Sequence, residues 1–146
     1  RRPRMSGGAS SPVAACAVSF MAFDFGLKRT GVATGNRITR SATPQGVIRA
    51  EGKARWPLVA ERIAQWQPDA LVVGVPFHPD GAPHENTARA RQFARQLRGR
   101  FGLPVHEVDE RYSTTEAREE MHTMGAKDVD AASAAIILEQ FLRSLP

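Results

Sequence analysis

The run ALVVGVP, residues 70–76, carries no polar side chain and is too short for a stable helix. A strand has two faces, so an unbroken apolar run demands cover on both. That requirement excludes a half-solvated sheet at this point and places helices above and below it. Residues 17–25, AVSFMAFDF, read as a second buried strand. TGVATGN (30–36) and SATPQGVIR (41–49) follow after short turns, which predicts a small antiparallel meander. Gly31 and Gly35 weaken the middle strand of that meander and predict a bulge or an edge position.

The helical segments have the other period. In ARWPLVAERIAQW (54–66), Leu58, Val59, Arg62, Ile63 and Trp66 recur at helical spacing, and Pro57 suits a first turn. In NTARARQFARQLRGRF (86–101), Ala90, Phe93, Ala94, Leu97 and Phe101 form an apolar stripe, which Gly102 and Pro104 bring to an end. FHPDGAPHEN reads as a loop, and PVHEVDE (104–110) as another strand. STTEAREEMHTM (113–124) opens on Ser113 with Glu116 three residues on, a capping-box pattern, and closes at Gly125. DVDAASAAIILEQFL (128–142) is a last helix, apolar on most sides and therefore largely buried. The order β-β-β-α-β-α-β-α-α specifies an α/β domain with a mixed sheet of about five strands flanked by helices. Residues 17–146 form a single unit with no internal repeat.

Acids sit at three places where apolar residues are expected. Asp24 ends the first strand, and strand C-termini are where ligands meet such sheets. An Asx turn would explain Asp24 alone but leaves Lys28 and Arg29 unexplained. Asp130 shares a helix face with Ala134, Ile137 and Phe141, so it points toward the core. Charge–dipole stabilisation is the alternative role for Asp130, though Asp128 already supplies it. Asp109 and Glu110 end another strand ahead of Arg111. Alternation sends one to each face without saying which: Val105 goes with Asp109 and Val108 with Glu110. Two strand-end acids and one helix-start acid that converge would repel one another unless a cation joined them. Carboxylates suit a hard divalent cation such as Mg²⁺, and carboxylate–metal clusters hydrolyse phosphodiesters. His78, His84, His106 and His122 are scattered and read as surface or packing residues, so no zinc-type spacing competes.

Charge supports a polyanionic partner only modestly. The chain of 146 residues carries a formal +5, of which Arg1, Arg2 and Arg4 supply three charges. Arg91, Arg95 and Arg98 form a row beside the apolar stripe of the 86–101 helix, with Arg89 and Arg100 on its other side. A solvated arginine face is the ordinary explanation for such a row. A phosphodiester site in the same chain gives it a second one, phosphate neutralisation. No aromatic stacking platform supports base reading. The single cysteine, Cys16, rules out an internal disulfide and fits a reducing compartment. Residues 1–16 imitate a secretory signal, but the apolar run is too short to span a bilayer and cleavage there would remove the strand of Asp24. They are expected to be a disordered leader, with Met5 as the natural start. DFG at 24–26 does not indicate a kinase, since neither a glycine-rich loop nor a catalytic-loop motif accompanies it. An actin-like nucleotide fold would need two such domains, and a Walker A sequence is absent.

Five pieces in this order and spacing resemble the YqgF/RuvX family: AFDFGLKRTGVA, LVVGVP, DGAPHENTARARQFARQL, DERYST and VDAASAAIIL. The likeness runs from about Phe20 to Leu142. Departures are small: GVP stands where GLP is frequent, and DERYST where DERLST is common. The resemblance implies an RNase H-like fold and a cytoplasmic nuclease that uses Mg²⁺ or Mn²⁺. It places Asp24, Glu110 and Asp130 at the metal-ligating, catalytic positions. It makes Lys28, Arg29 and Arg111 contacts for substrate phosphates; Arg91 of the arginine row and Arg89 on the other side of the stripe are further candidates on charge. Whether Asp109 shares the site with Glu110 stays open. The implied substrate is RNA, the 5′ end of the precursor of the small-subunit rRNA. A four-way DNA (Holliday) junction is the alternative, and concerted cutting of two strands there would call for a homodimer. A non-catalytic nucleic-acid-binding module is the remaining alternative.

Overall fold

A computed structural model describes residues 17–77, 80–83, 85–110 and 129–146. Arg111, the 113–124 segment with its capping box, Asp128, the 1–16 leader and His78, His84 and His122 lie outside the described residues. Five strands form one sheet: β1 (Ser19–Asp24), β2 (Arg29–Asn36), β3 (Ser41–Arg49), β4 (Ala70–Val75) and β5 (Val105–Asp109). Among the described residues three α-helices accompany them: α1 (Arg55–Trp66), preceded by a short 3₁₀ turn, α2 (Thr87–Phe101) and α3 (Val129–Ser144). The spatial order is β3-β2-β1-β4-β5. β1, β2 and β3 form the antiparallel meander, while β4 runs parallel to both β1 and β5.

All six residues of β4 are buried, as an unbroken apolar run requires. On one face Phe20, Ala22, Ala33, Ala70 and Val72 pack under α3 through Ala134, Ile137, Leu138 and Leu142. On the other, Met21, Phe23, Val32, Leu71, Val73 and Val105 pack with Val59 of α1 and with Phe93, Ala94 and Leu97 of α2. Rings reinforce this second layer: Phe93 meets Phe23 edge-on at 5.7 Å and Trp56 in a stack at 5.4 Å between centroids.

The meander departs from the sequence reading in one instructive way. The register does shift between Gly31 and Ala33, as a bulge would. Yet β2 is an inner strand, and β3 is the edge. The glycines of β2 answer to α3 instead. A methyl placed on Gly31 would collide with the Asp130 carbonyl, and one on Gly35 would come within 2.8 Å of Leu138. Two missing side chains thus let a helix lie directly on the backbone of the strand.

The α1 stripe is also narrower than its period predicts. Val59 is buried, but Leu58 and Trp66 are exposed, because α1 covers only part of the sheet. Its buried polar member is Arg55.

α3 is fixed along its length as well as on its face. Arg40, in the left-handed region at φ 57°, sends its guanidinium to the carbonyls of Leu142, Leu145 and Pro146. A cation on the last carbonyls also suits the helix dipole. At the opposite end the Asp130 backbone rests against Gly31. The helix therefore cannot slide, and its first turn stays over the C-terminal edge of β1.

Candidate active site

Asp24 is the last residue of β1, and its register partners are Gly31 on β2 and Gly74 on β4. The row Gly31–Asp24–Gly74 thus carries one side chain, with bare backbone on either side. Asp24 follows Phe20 and Ala22 in the period-two alternation, so it faces α3. The two bare positions are filled from elsewhere. The start of α3, at Asp130, lies on Gly31. The side chain of Glu110 lies over Gly74, its Cγ and Cδ 3.1 and 3.2 Å from where a Cβ would stand.

This arrangement answers which of the paired acids faces the site. Val108 is the register partner of Gly74 and packs with the α3 layer. Glu110, two residues on, reaches the same side. Asp109 pairs with Val75 and follows Val105 and Glu107 toward α2.

The three carboxyls feel one another. Burial pushes the Asp24 carboxyl well above its ordinary range, and the negative charges of Glu110 and Asp130 push it further. A side-chain hydrogen bond with Glu110 adds to the rise, while the hydroxyl of Ser133, donating to Asp24, opposes it. Ser133 is three residues after Asp130 and so shares its helix face. It was not among the sequence-derived site residues, although that spacing was the signal for it. Gly74, the one glycine in an otherwise bulky central strand, was a second missed signal.

The cations divide into two groups. Arg29 Nε lies 3.3 Å from Asp130 Oδ2, in a pair whose side chains are 58% and 33% exposed. Lys28 is exposed on the β1–β2 turn beside it. Arg89 and Arg91 are on α2, across the sheet from Asp24. Arg89 donates to Asn86 Oδ1 at 3.1 Å, while Arg91 pairs with Glu107 at 3.6 Å and covers the Phe77 ring. Arg98 also reaches Glu107, and Arg100 covers Trp56. Much of the arginine row therefore braces α2 against β5 and the aromatic layer. His106 stacks on Phe141 at 5.2 Å, and burial, aided by Arg98, pushes its pKa down. It packs, as the sequence suggests.

The donor set suits a hard cation. It offers carboxylates and a hydroxyl, and the negative charge that raises Asp24 is what a divalent cation would relieve. Among the described residues no three His, Cys, Asp or Glu side chains stand close enough together to hold a metal ion between them. An open carboxylate cluster is what Mg²⁺ uses, since it keeps waters and takes substrate oxygens.

A family model described as "RuvX: Holliday junction resolvase" matches residues 18–144. The chain belongs to the RuvX family. A relative from Polaromonas sp., provisionally named a pre-16S rRNA nuclease, is 70% identical over 128 residues, covering 88% of this chain and 90% of the relative. One from Burkholderia pseudomallei with the same name is 53% identical over 131 residues, with 88% and 90% covered. A solved structure of T. thermophilus RuvC in complex with a Holliday junction substrate aligns at a TM-score of 0.51 and 14% identity, covering 82% of this chain and 92% of that one. The fold of this RuvX-family chain is thereby RNase H-like, as expected. No helix among its described residues is long and apolar enough to cross a membrane.

Proposed function

We propose that the chain is a cytoplasmic, divalent-metal-dependent nuclease that hydrolyses phosphodiester bonds in structured RNA, trimming the 5′ end of precursor 16S rRNA. The observation that carries this is the glycine-flanked row at the end of β1, where Asp24, Glu110 and Asp130 meet on one face of the sheet. The relatives' names supply the substrate class.

In this reading Asp24, Glu110 and Asp130 hold Mg²⁺ or Mn²⁺. When bound, the cation supplies the Lewis acid and the activated water that phosphodiester hydrolysis needs. The chain's own residues do the rest. Gly31 and Gly74 leave room beside Asp24 for the start of α3 and for the Glu110 side chain, so the three carboxylates can gather at the end of β1. Ser133 orients the Asp24 carboxyl by donating to it. Lys28 and Arg29 stand at the rim as phosphate contacts, and Arg111 follows Glu110 in sequence as a third. Arg29 holds Asp130 until substrate arrives, then has a phosphate oxygen as its alternative acceptor. Arg89 and Arg91 serve as outlying contacts for a substrate long enough to pass the sheet edge onto α2.

The test is a cleavage assay with a precursor rRNA leader and a four-way DNA junction, each with Mg²⁺, Mn²⁺ or EDTA. Metal-dependent cutting of the RNA, lost in Asp24→Asn, supports the reading. Cutting of the junction alone keeps the site and replaces the substrate. Binding without cutting, unchanged in Asp24→Asn, leaves a non-catalytic module and overturns it.

A further inference from the structure

The turn after Asp24 carries the rim cations, yet Leu27, Lys28 and Arg29 are all exposed. Leu27 alone is 50% exposed. Nothing their side chains bury can fix the turn. Its backbone is fixed from behind. Arg55, the first residue of α1, is only 5% exposed. Its Nη2 donates to the carbonyls of both Gly26 and Leu27 at 2.8 Å. Its guanidinium lies over the Phe25 ring at 4.5 Å and the Phe93 ring at 5.7 Å from the centroids. Gly26 permits the tightness of the turn itself, because a side chain there would strike the Arg29 carbonyl.

Arg55 is an odd residue to bury if stability is all it serves. Desolvating a guanidinium is costly, and among the described residues its Nε has no hydrogen-bond partner. An apolar side chain would pack between Phe25 and Phe93 without that cost. What an apolar side chain lacks is a donor nitrogen whose N–H groups grip two successive carbonyls.

We infer that Arg55 is a positioning residue of the nuclease site: from the far face of the sheet it clamps the Gly26–Leu27 backbone and so holds Lys28 and Arg29 where a substrate phosphate must meet them. The inference rests on the nuclease reading above. It makes substrate affinity, rather than the chemical step, depend on a residue that touches no substrate. Lys28 on a loose turn would give up freedom on binding; on a clamped turn that loss has already been met in folding, while Arg29 is held also by its pairing with Arg49 and by Asp130.

The test compares wild type with Arg55→Met, which keeps the packing, and Arg55→Lys, which keeps the charge but loses the planar guanidinium that lies over the Phe25 ring. Amide hydrogen exchange across residues 26–29 reads the clamp without any substrate. Exchange there rises at least tenfold in Arg55→Met, while β4 amides stay protected. On the rRNA leader, KM rises about tenfold with kcat within about twofold of wild type. Arg55→Lys falls between. In a Lys28→Ala, Arg29→Ala background, Arg55→Met adds little, because its effect runs through those cations. If wild type proves not to cut, RNA dissociation constants in EDTA give the same comparison, so failure of the nuclease reading does not hide the answer. Unchanged exchange overturns the clamp. Faster exchange with unchanged KM or Kd, or equal losses of kcat and kcat/KM, overturns the positioning role. If Arg55→Met does not fold, the Arg55→Lys values decide by the same criteria.

Discussion

Arg29 Nε stands 3.3 Å from Asp130 Oδ2, so the strand that follows Asp24 is tied to the helix start that faces it. The pair is exposed enough that water screens it, and exposed ion pairs contribute about 0–1 kcal/mol. Arg29→Ala is therefore expected to change urea-unfolding stability by less than about 1 kcal/mol. Its two functional effects should run in opposite directions. Mn²⁺ binds more tightly, since Asp130 loses its competing partner, and RNA binds more weakly, since one cation at the rim is gone. Titration calorimetry with each ligand separates the two.

Glycine replacements distinguish backbone from side-chain obstruction. Gly31→Ala drives a methyl into the Asp130 carbonyl, so the first turn of α3 must move. Overpacking of this kind costs about 1–3 kcal/mol, and cleavage should fall with the displaced Asp130. Gly74→Ala meets side chains instead, Ile137 and Glu110. It should cost less stability yet still reduce kcat, because the Glu110 carboxylate is pushed from its place. Denaturation and single-turnover cleavage on both variants check the contrast.

The raised Asp24 carboxyl makes stability depend on pH in a definite direction. In the unfolded chain it titrates near its ordinary 3.8; in the folded chain it holds its proton to higher pH. The folded state therefore binds more protons across that window, and stability falls as pH rises through it. Metal-free protein should lose melting temperature as pH is raised from 3.8 through the folded pKa of Asp24. Asp24→Asn should flatten this Asp24-dependent part of the profile and be the more stable protein at neutral pH. Added Mg²⁺ should restore wild type there and do little for the variant.

Arg89 and Arg91 are on the α2 face, across the sheet from Asp24. Their contribution should depend on substrate length. Arg89→Ala should leave binding of a short RNA unchanged and weaken a longer one, with a salt slope shallower by about 0.9 for each phosphate no longer neutralised. Lys28→Ala should weaken both. Filter binding across a salt series checks this.

The alternation of short strands and amphipathic helices was legible because burial leaves it in the residue pattern. ALVVGVP could only be a covered strand, and its neighbours followed. What stayed hidden depends on which elements lie across from one another. Gly31 and Gly35 look the same at an edge, at a bulge or beneath a helix; only the packing of α3 tells them apart. The choice between Asp109 and Glu110 needed the register of β5 against β4. Leu58 and Trp66 fit the helical period, but period does not say how far a sheet extends beneath a helix. Arg55 was invisible for a different reason. An arginine at a helix start reads as solvated, and only the carbonyls of a turn far away in sequence make it a clamp.

The central claim is that Asp24, Glu110 and Asp130 hold one catalytic metal site between them. Electron paramagnetic resonance of Mn²⁺ bound to wild type, Asp24→Asn, Glu110→Gln and Asp130→Asn, read beside cleavage of the rRNA leader by the same samples, tests it most directly. Mn²⁺ is expected to bind wild type, and each substitution to weaken that binding and reduce cleavage together. Full Mn²⁺ binding in all three variants, or undiminished cleavage in Asp24→Asn, would contradict it.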